Sequence, residues 1–423
     1  MRTTTLLPAV LFVLASDTHL QNARALVPVL RDECRLISYA LDVRAFFYGS
    51  SFTREVLDSV FEKSAVLVKE DFRTRGIIDR LASGIGRFGL RQPARFLRRG
   101  QLASLLTARF GNAIAACILC NDRCFPERDV LKIFRAHGIP CFLVQESLRK
   151  DLQMSESAGP KHGTGGADQI FAWGETSREY FRAVRVPEDR ILITGNPRFD
   201  RFRSSCAAVD PSASRARWGL PDAPAILLAT NPVYSMNMKD APSAEDCLRT
   251  IESVVSAATA LGRLVIWKPH PLEKTFTERS DVQSLLVSQS ANLRLSWEMT
   301  LPEAIAVCDR ALVFNSTVAL EAASMGRPAG LLALKPWNHG VDFVDRGIAR
   351  LLDSPTALTA FLTEENPLQN LEKATSAFTP LDGQSSQRIA TGIKLAMIMR
   401  KHEFAFSIAP ASSLVICLQF LYG

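Results

Sequence analysis

A lysine and a histidine close an apolar segment in the second half of the chain, within the sequence LVIWKPHPLEK at residues 264–274. Its leading apolar residues predict a buried strand, and Lys268 and His270 follow, each succeeded by a proline. Proline fixes its own φ angle and pushes the preceding residue toward extended geometry. We therefore expect a cation and an imidazole on stiff backbone at the mouth of a strand, where they can bind an anion.

A second polar turn lies in the sequence FNSTVALEAASMGRP at residues 314–328. Asn315, Ser316 and Thr317 are residue types that favour a helix N-cap, and the pattern predicts a helix that runs to about Met325. A helix start with unpaired N–H groups and two hydroxyls suits a phosphate. This turn is a candidate donor-phosphate site.

Glu321 is the acidic residue of the same predicted helix. A capping box would place an acid three residues after the cap, where the chain has Ala319 or Leu320. Glu321 instead lies one turn below Thr317 on the same face, so capping does not explain it. It is either a ligand for ribose hydroxyls or a surface carboxylate.

An arginine follows a predicted turn in TGNPRFD at residues 194–200. The turn itself is explained by its glycine, asparagine and proline. Arg198 would lie at the junction between the two halves of the chain, where a guanidinium suits bidentate phosphate binding.

Short apolar segments alternate with polar loops and helical stretches along most of the chain. The segments that predict strands are AVLFVLAS, AACILCNDR, PCFLVQES, QIFAWG and RILITGNP, then AILLATN, RLVIWKPH, LRLSW, RALVFNS and AGLLAL. This alternation predicts an α/β fold with two doubly wound parallel sheets facing a cleft. Right-handed crossovers would put the Lys-Pro-His-Pro motif and the 315–317 turn at one sheet edge.

Composition restricts the compartment and the partners. The chain has 423 residues, a length that suits two domains, and its net charge of +7 favours anionic partners. No nucleic-acid-binding module is recognisable, so we predict no nucleic-acid partner. Nine scattered cysteines argue against a disulfide framework and for a reducing, cytoplasmic location.

Three segments allow membrane-related interpretations. MRTTTLLPAVLFVLAS is either a signal segment or a first strand, and the βα pattern after it favours the strand. A DTH loop and a helix from about Gln21 would follow, and Pro28 would kink that helix or delay its start. Residues 73–110 carry nine arginines and one acid, which fits either peripheral contact with an anionic membrane or a solvated helical hairpin. The uncharged segment 404–423 is expected to pack back onto the body as a helix.

The ordered set TGNPRFD, KPHP and NSTVALEAASMGRP resembles the GT-B nucleotide-sugar transferases of bacterial surface polysaccharide synthesis. The nearest in kind are capsule Kdo and sialic-acid transferases and CDP-glycerol glycerophosphotransferases, and the resemblance covers roughly residues 165–335. It implies an acceptor-side Rossmann-like domain at 1–190, a donor-binding one at 191–385 and a helical tail at 386–423.

The resemblance also implies residue roles. In these families the His-Pro and Ser/Thr motifs hold the donor nucleotide, which carries over to Lys268, His270, Ser316, Thr317 and Glu321.

The general base of such enzymes comes from an N-terminal loop. The candidates are Asp17 and His19 in ASDTHLQN, Asp122 in CNDR and Glu146 in VQES, and His19 equally suits a structural loop role. The loop at 161–165 either closes over the cleft or is a disordered connector.

These features predict an inverting, metal-independent glycosyltransferase that moves a sugar from a CMP-, UDP- or GDP-sugar to a surface polysaccharide or lipid-linked acceptor. Lys268 and His270 would stabilise the departing phosphate, and no Asp-x-Asp pair accompanies the motifs, so no metal or other cofactor is expected. One alternative is a CDP-polyol glycerophosphotransferase. Another is a non-hydrolysing UDP-N-acetylglucosamine 2-epimerase, although that family has Asp-Ser-Gly-Gly and Glu-Glu where this chain has Asn-Ser-Thr-Val and Glu321. The last is a catalytically silent partner in a polysaccharide assembly complex.

Overall fold

The structure is a computed structural model, and it describes nine ranges of the chain. These ranges are 7–41, 54–67, 114–123, 127–148, 161–235, 241–314, 316–334, 341–368 and 370–406.

The first half folds into a parallel sheet of seven strands with helices between them. Its elements are β1 (Ala9–Leu14), α1 (Asp17–Leu30), β2 (Arg35–Leu41), α2 (Arg54–Asp58), β3 (Lys63–Leu67), β4 (Ile114–Leu119), α3 (Glu127–Ala136), β5 (Cys141–Val144), β6 (Gln169–Ala172), α4 (Glu175–Ala183) and β7 (Ile191–Ile193). The strand order is β3-β2-β1-β4-β5-β6-β7.

The second half forms a parallel sheet of six strands, in the order β10-β9-β8-β11-β12-β13. Its elements, with the helices that flank it, are α5 (Pro197–Ala207), α6 (Pro211–Arg217), β8 (Ala225–Ala229), α7 (Ala244–Ala260), β9 (Leu264–Lys268), α8 (Lys274–Thr277), α9 (Ser280–Ser288), β10 (Leu293–Leu295), α10 (Leu301–Val307), β11 (Arg310–Val313), α11 (Val318–Ser324), β12 (Ala329–Leu332), α12 (Val341–Asp345), β13 (Ala349–Leu352), α13 (Pro355–Thr363), α14 (Leu371–Phe378) and α15 (Ser385–Phe406). The predicted fold class is confirmed.

Most strands form where the sequence is continuously apolar, because helices cover both faces of each sheet. β1 is buried along its whole length, with alternate residues in two core clusters on opposite faces of the first sheet. The predicted strand within AVLFVLAS is therefore confirmed.

The start of α1 differs from the prediction of a DTH loop. The helix begins at Asp17 rather than near Gln21, because the side chain of Ser16 caps it by accepting from the backbone N–H of His19. Pro28 lies inside the last turn of the helix, which ends two residues later at Leu30. The predicted later start at Pro28 was wrong, whereas a kink at Pro28 stays a prediction.

The last helix returns to the first sheet. Ile389 and Ile393 of α15 are buried in the same core cluster as Leu26 of α1 and Phe171 of β6. The domain limits at 190 and 385 stay a prediction, but β7, which begins at Ile191, pairs with β6 of the first sheet.

Within the described ranges, no helix is both long enough and apolar enough to cross a membrane. The arginine-rich segment 73–110 and the residues after Phe406 lie outside those ranges. Membrane contact through residues 73–110 and packing of the C-terminal segment onto the body both stay predictions.

Candidate functional site

The carboxyl ends of the two sheets approach each other through a shared apolar cluster. Leu148, which follows β5, and Trp173, which follows β6, are buried together with Phe199 of α5 and with Ala229 and Val313, the last residues of β8 and β11. The loops that follow these strands therefore lie where ligands of doubly wound sheets bind.

The two predicted donor-site turns lie at one edge of the second sheet. β8 pairs in parallel with both β9 and β11, so the ends of β9 and β11 point the same way and are separated by a single strand. The predicted common edge for the Lys-Pro-His-Pro motif and the turn before α11 is confirmed.

Lys268 is the last residue of β9 and is half-buried. Its Nζ donates to the backbone carbonyl of Met299 at 2.5 Å, which fixes the direction of the ammonium group. Burial lowers the pKa of Lys268, and the Glu303 carboxylate opposes that shift. An ammonium has three donors, so two remain for a ligand.

His270 is exposed at the strand tip and caps a short 3₁₀ turn at Pro271–Glu273. Its Nδ1 accepts from the backbone N–H of Leu272 at 3.2 Å, so a neutral ring carries its proton on Nε2. Partial desolvation lowers the pKa of His270, which favours the neutral ring near pH 7. Nε2–H is then a donor that a phosphate oxygen can accept.

Glu273 positions the His270 turn and was missed by the sequence analysis. The carboxylate is buried, and its Oε2 accepts from the Thr230 hydroxyl at 2.7 Å and from the backbone N–H of His270 at 2.8 Å. Burial raises the pKa of Glu273 to about 7, and these two hydrogen bonds oppose the shift. The signal was within the quoted motif, since an acid three residues after an N-cap predicts a capping box.

The second turn is less elaborate than predicted. α11 begins at Val318, and Ser316 Oγ accepts from its N–H at 3.3 Å, whereas the Thr317 side chain makes no capping bond. Asn315 lies outside the described residues. The predicted end of the helix near Met325 is confirmed.

Glu321 is half-buried and lies close to Arg198 of α5. Desolvation raises the pKa of the Glu321 carboxyl, and the charge of Arg198 lowers it. Burial raises the pKa of the Cys206 thiol in α5, and the charge of Glu321 raises it further. The interpretation of Glu321 as an ordinary surface carboxylate therefore does not fit, and its role as a donor ligand stays a prediction.

Arg198 lies between the two halves of the site. Asn196 caps α5 by accepting from the backbone N–H of Arg198 at 3.0 Å, and the guanidinium lies 5.7 Å from the ring centroid of Trp173. Its charge lowers the pKa of the Glu321 carboxyl in the second half and of the Cys120 thiol in the first half. Its Nε is buried without a hydrogen-bond partner among the described residues, which leaves a donor for an anionic ligand.

His19 and Glu146 form a hydrogen-bonded pair at the carboxyl edge of the first sheet. His19 Nε2 lies 2.6 Å from Glu146 Oε2, and Asn121 donates from its side chain to Glu146 Oε1 at 3.2 Å. The His19 side chain is 2% exposed and the Glu146 side chain 19% exposed. Glu146 is therefore the member of the pair that a substrate can reach. His19 is buried and holds the Glu146 carboxylate through its Nε2.

The other base candidates are placed differently. Asp17 is the first residue of α1, where the structure describes only its backbone. Asp122 is fully buried and accepts through both oxygens from the backbone N–H groups of Gly163 and Gly165, at 2.9 and 2.6 Å. Asp122 is therefore an anchor for the 161–165 loop, and the structure supports neither a closing lid nor a disordered connector there.

Residue 165 must be a glycine because the loop backbone lies so close to Asp122 that a side chain would not fit. A Cβ at this position would lie 2.6 Å from the Asp122 backbone oxygen. We expect Gly165→Ala to lower the free energy of unfolding by about 1–3 kcal/mol, because the loop must move away from the carboxylate that holds it. Urea denaturation would measure this change, with Thr164→Ala in the same loop as the control; equal stability of the two variants would contradict it.

No protein-family model matches the chain, and no curated protein matches it in sequence. Solved structures do match its fold. The UDP-GlcNAc 2-epimerase of Neisseria meningitidis bound to UDP-GlcNAc shares 14% identity over 93% of this chain and 100% of that one, with a TM-score of 0.62. A putative UDP-N-acetylglucosamine 2-epimerase from Listeria monocytogenes shares 14% over 92% and 96%, with a TM-score of 0.63.

A third similar structure belongs to another class of enzyme. The wall teichoic acid polymerase TagF, solved as a variant with CDPG, shares 13% identity over 93% of this chain and 90% of that one, with a TM-score of 0.57. Identities at this level show the fold alone. The chain has the two-domain, GT-B-like fold that these epimerases share with TagF.

Proposed function

We propose that the protein is a transferase that moves a sugar or a polyol phosphate from a nucleotide-activated donor to a hydroxyl acceptor. The donor lies with its phosphates against Arg198, Lys268 and His270, and the acceptor hydroxyl lies against Glu146. Capsule or other surface polysaccharide synthesis is the setting that the motif resemblance favours.

The observation that carries the proposal is the position of Arg198. A buried guanidinium donor without a partner is costly unless an anion completes it. The charge of Arg198 lowers the pKa of the Cys120 thiol in the first half of the site and of the Glu321 carboxyl in the second half. Arg198 therefore lies near both halves. A phosphate bound at Arg198 therefore lies between the carboxylate that can act as a base and the donor-site turns of the second sheet.

In the proposed reaction, side chains of this protein accept the proton and stabilise the departing phosphate. Glu146 takes the proton of the acceptor hydroxyl as its oxygen attacks the donor carbon or phosphorus. The bond to the nucleotide phosphate breaks, and its electron pair leaves with that phosphate. Arg198, Lys268 and the Nε2–H of His270 stabilise the negative charge that develops there.

The test begins with the nucleotide. A thermal-shift screen of CMP, CDP, UDP and GDP is expected to single out one of them, because binding to the native state alone stabilises it by about 2.7 kcal/mol at one hundred times Kd. The corresponding activated sugar or polyol is then incubated with the protein, with and without EDTA. With a hydroxyl acceptor present, release of free nucleotide together with the donor group on the acceptor, in both samples, supports metal-independent transfer. The absence of nucleotide binding by calorimetry would support the non-catalytic partner.

A UDP-N-acetylglucosamine 2-epimerase is the second candidate, because the fold of the chain is similar to solved epimerases. The residues of the second turn favour the transferase, since the sequence there is Asn-Ser-Thr-Val with the single Glu321. Incubation with UDP-GlcNAc alone separates the two. The manno epimer with intact UDP would support the epimerase and contradict transfer.

Arg198→Lys is expected to weaken binding of the selected nucleotide about 10- to 100-fold, because a lysine cannot keep the planar, multiple-donor contact of a guanidinium. Isothermal titration calorimetry would measure the change. Arg201→Lys, one turn further along α5 and exposed, is the matched control. Equal affinities for the two variants would remove Arg198 from the phosphate site.

A further inference from the structure

We propose that Glu127 is a positioning residue that stays protonated near pH 7 beside His19 Nδ1, so that His19 remains neutral and Glu146 keeps its strength as a base. The inference rests on the proposed function for the role of Glu146. The arrangement of Glu127 and His19 stands independently of it.

The hydrogen-bond pattern of His19 fixes where its proton lies. The backbone N–H of Ala15 donates to His19 Nδ1 at 3.0 Å, and a ring nitrogen that accepts a hydrogen bond carries no proton. The ring proton is therefore on Nε2, which points at Glu146 Oε2 at 2.6 Å. This is the neutral Nε2–H tautomer.

Glu127 lies on the accepting side of that ring. Its Oε1 is 3.4 Å from His19 Nδ1 and has no hydrogen-bond partner within the described part of the chain. An ionised carboxylate there would face a lone pair across a short distance, whereas a protonated one carries no charge. Because that lone pair already accepts from Ala15, a proton on Glu127 removes the repulsion without a hydrogen bond to Nδ1.

The surroundings of Glu127 favour the same protonation state. The residue is buried, and desolvation is the main reason that its pKa is raised to about 8. Glu146 and Asp122 raise it further, and His19 and a backbone hydrogen bond from Asn121 lower it. Burial also raises the pKa of the nearby Cys120 thiol, which therefore stays neutral and adds no charge.

The competing arrangement holds the same number of protons. If the proton moved from Glu127 to Nδ1, His19 would be an imidazolium between two carboxylates. Its positive charge 2.6 Å from Glu146 would weaken that base, and Nδ1 could no longer accept from Ala15. The two arrangements predict different spectra and different pH profiles.

The direct test is the ¹⁵N chemical shifts of the His19 ring in the wild-type protein at pH 7, assigned by comparison with His19→Gln. A protonated Nε2 with an unprotonated Nδ1 would support the proposal. A proton on Nδ1 would overturn it, whether or not an activity has been found. Failure of the proposed function would leave this measurement unaffected.

The kinetic test is Glu127→Gln, in which the amide copies a protonated carboxyl group and the side chain keeps its shape. We expect turnover at pH 7 within about threefold of wild type. Wild-type activity should fall by up to about tenfold between pH 7 and pH 9, because an ionised Glu127 would repel the Nδ1 lone pair and displace the His19 ring that positions Glu146. The variant should lose that alkaline fall.

The matched control is Asp129→Asn, which neutralises another buried carboxylate of α3. It should leave the alkaline fall unchanged. Loss of turnover in Glu127→Gln at every pH, with the variant folded and the His19 tautomer unchanged, would show that the ionised carboxylate is needed and would overturn the proposal.

Discussion

Glu146→Gln is expected to reduce turnover about 10²- to 10⁴-fold with little change in nucleotide affinity, because general acid–base groups contribute rate factors of that order. The amide can still accept from Asn121 but cannot take a proton from an acceptor hydroxyl. Glu146 is half-buried and is the more accessible member of a pair whose other member, His19, is buried. The loss should therefore appear in kcat and not in the Kd of the nucleotide.

Steady-state kinetics and calorimetry together measure the two quantities. Glu252→Gln, an exposed glutamate on α7, is the control and should behave as wild type. If Glu146→Gln kept full turnover while His19→Gln lost it, the roles of the two residues would have to be exchanged.

Periodicity was enough to predict most of the fold. The continuous apolar segments became parallel strands, and the shared edge of the two donor-site turns followed from that topology. Strands β2, β3 and β13 were not predicted. β3 begins at Lys63 and β2 at Arg35, so neither is a purely apolar segment.

The candidate site was predicted only in part, because spacing along a chain does not show which side chain is buried behind which. His19 and Glu146 were both predicted as candidate bases. The tertiary contact between α1 and the loop after β5 buries His19 and leaves Glu146 more accessible. Asp122 looked equally available and is an anchor. Glu127 gave no signal beyond its place at the start of a helix.

Pairs of ionisable groups from different elements distinguish this site from an ordinary structural network. Glu127, His19 and Glu146 come from α3, α1 and the loop after β5, and their burial differs. Groups held in contact with unequal exposure have unequal proton affinities, which is the arrangement that acid–base chemistry needs. In the proposed function, the second sheet adds Lys268 and His270 as cationic and neutral donors for phosphate.

His270→Ala is expected to reduce turnover about 10²- to 10³-fold while leaving the fold intact, since removing one preorganised donor to a developing negative charge has an effect of that order. The ring is exposed, so its loss costs little packing. The Nδ1 cap to Leu272 is lost as well, at about 1 kcal/mol.

His270→Asn separates the two effects. Its side-chain oxygen can replace Nδ1 as the acceptor from Leu272, but nothing replaces the Nε2–H donor. We expect it to restore the thermal stability lost in His270→Ala without restoring turnover. His137→Ala, an exposed histidine near the end of α3, is the control for a general effect of removing an imidazole. Recovery of turnover in His270→Asn would mean that His270 acts only by shaping the turn, and the departing phosphate would then depend on Arg198 and Lys268 alone.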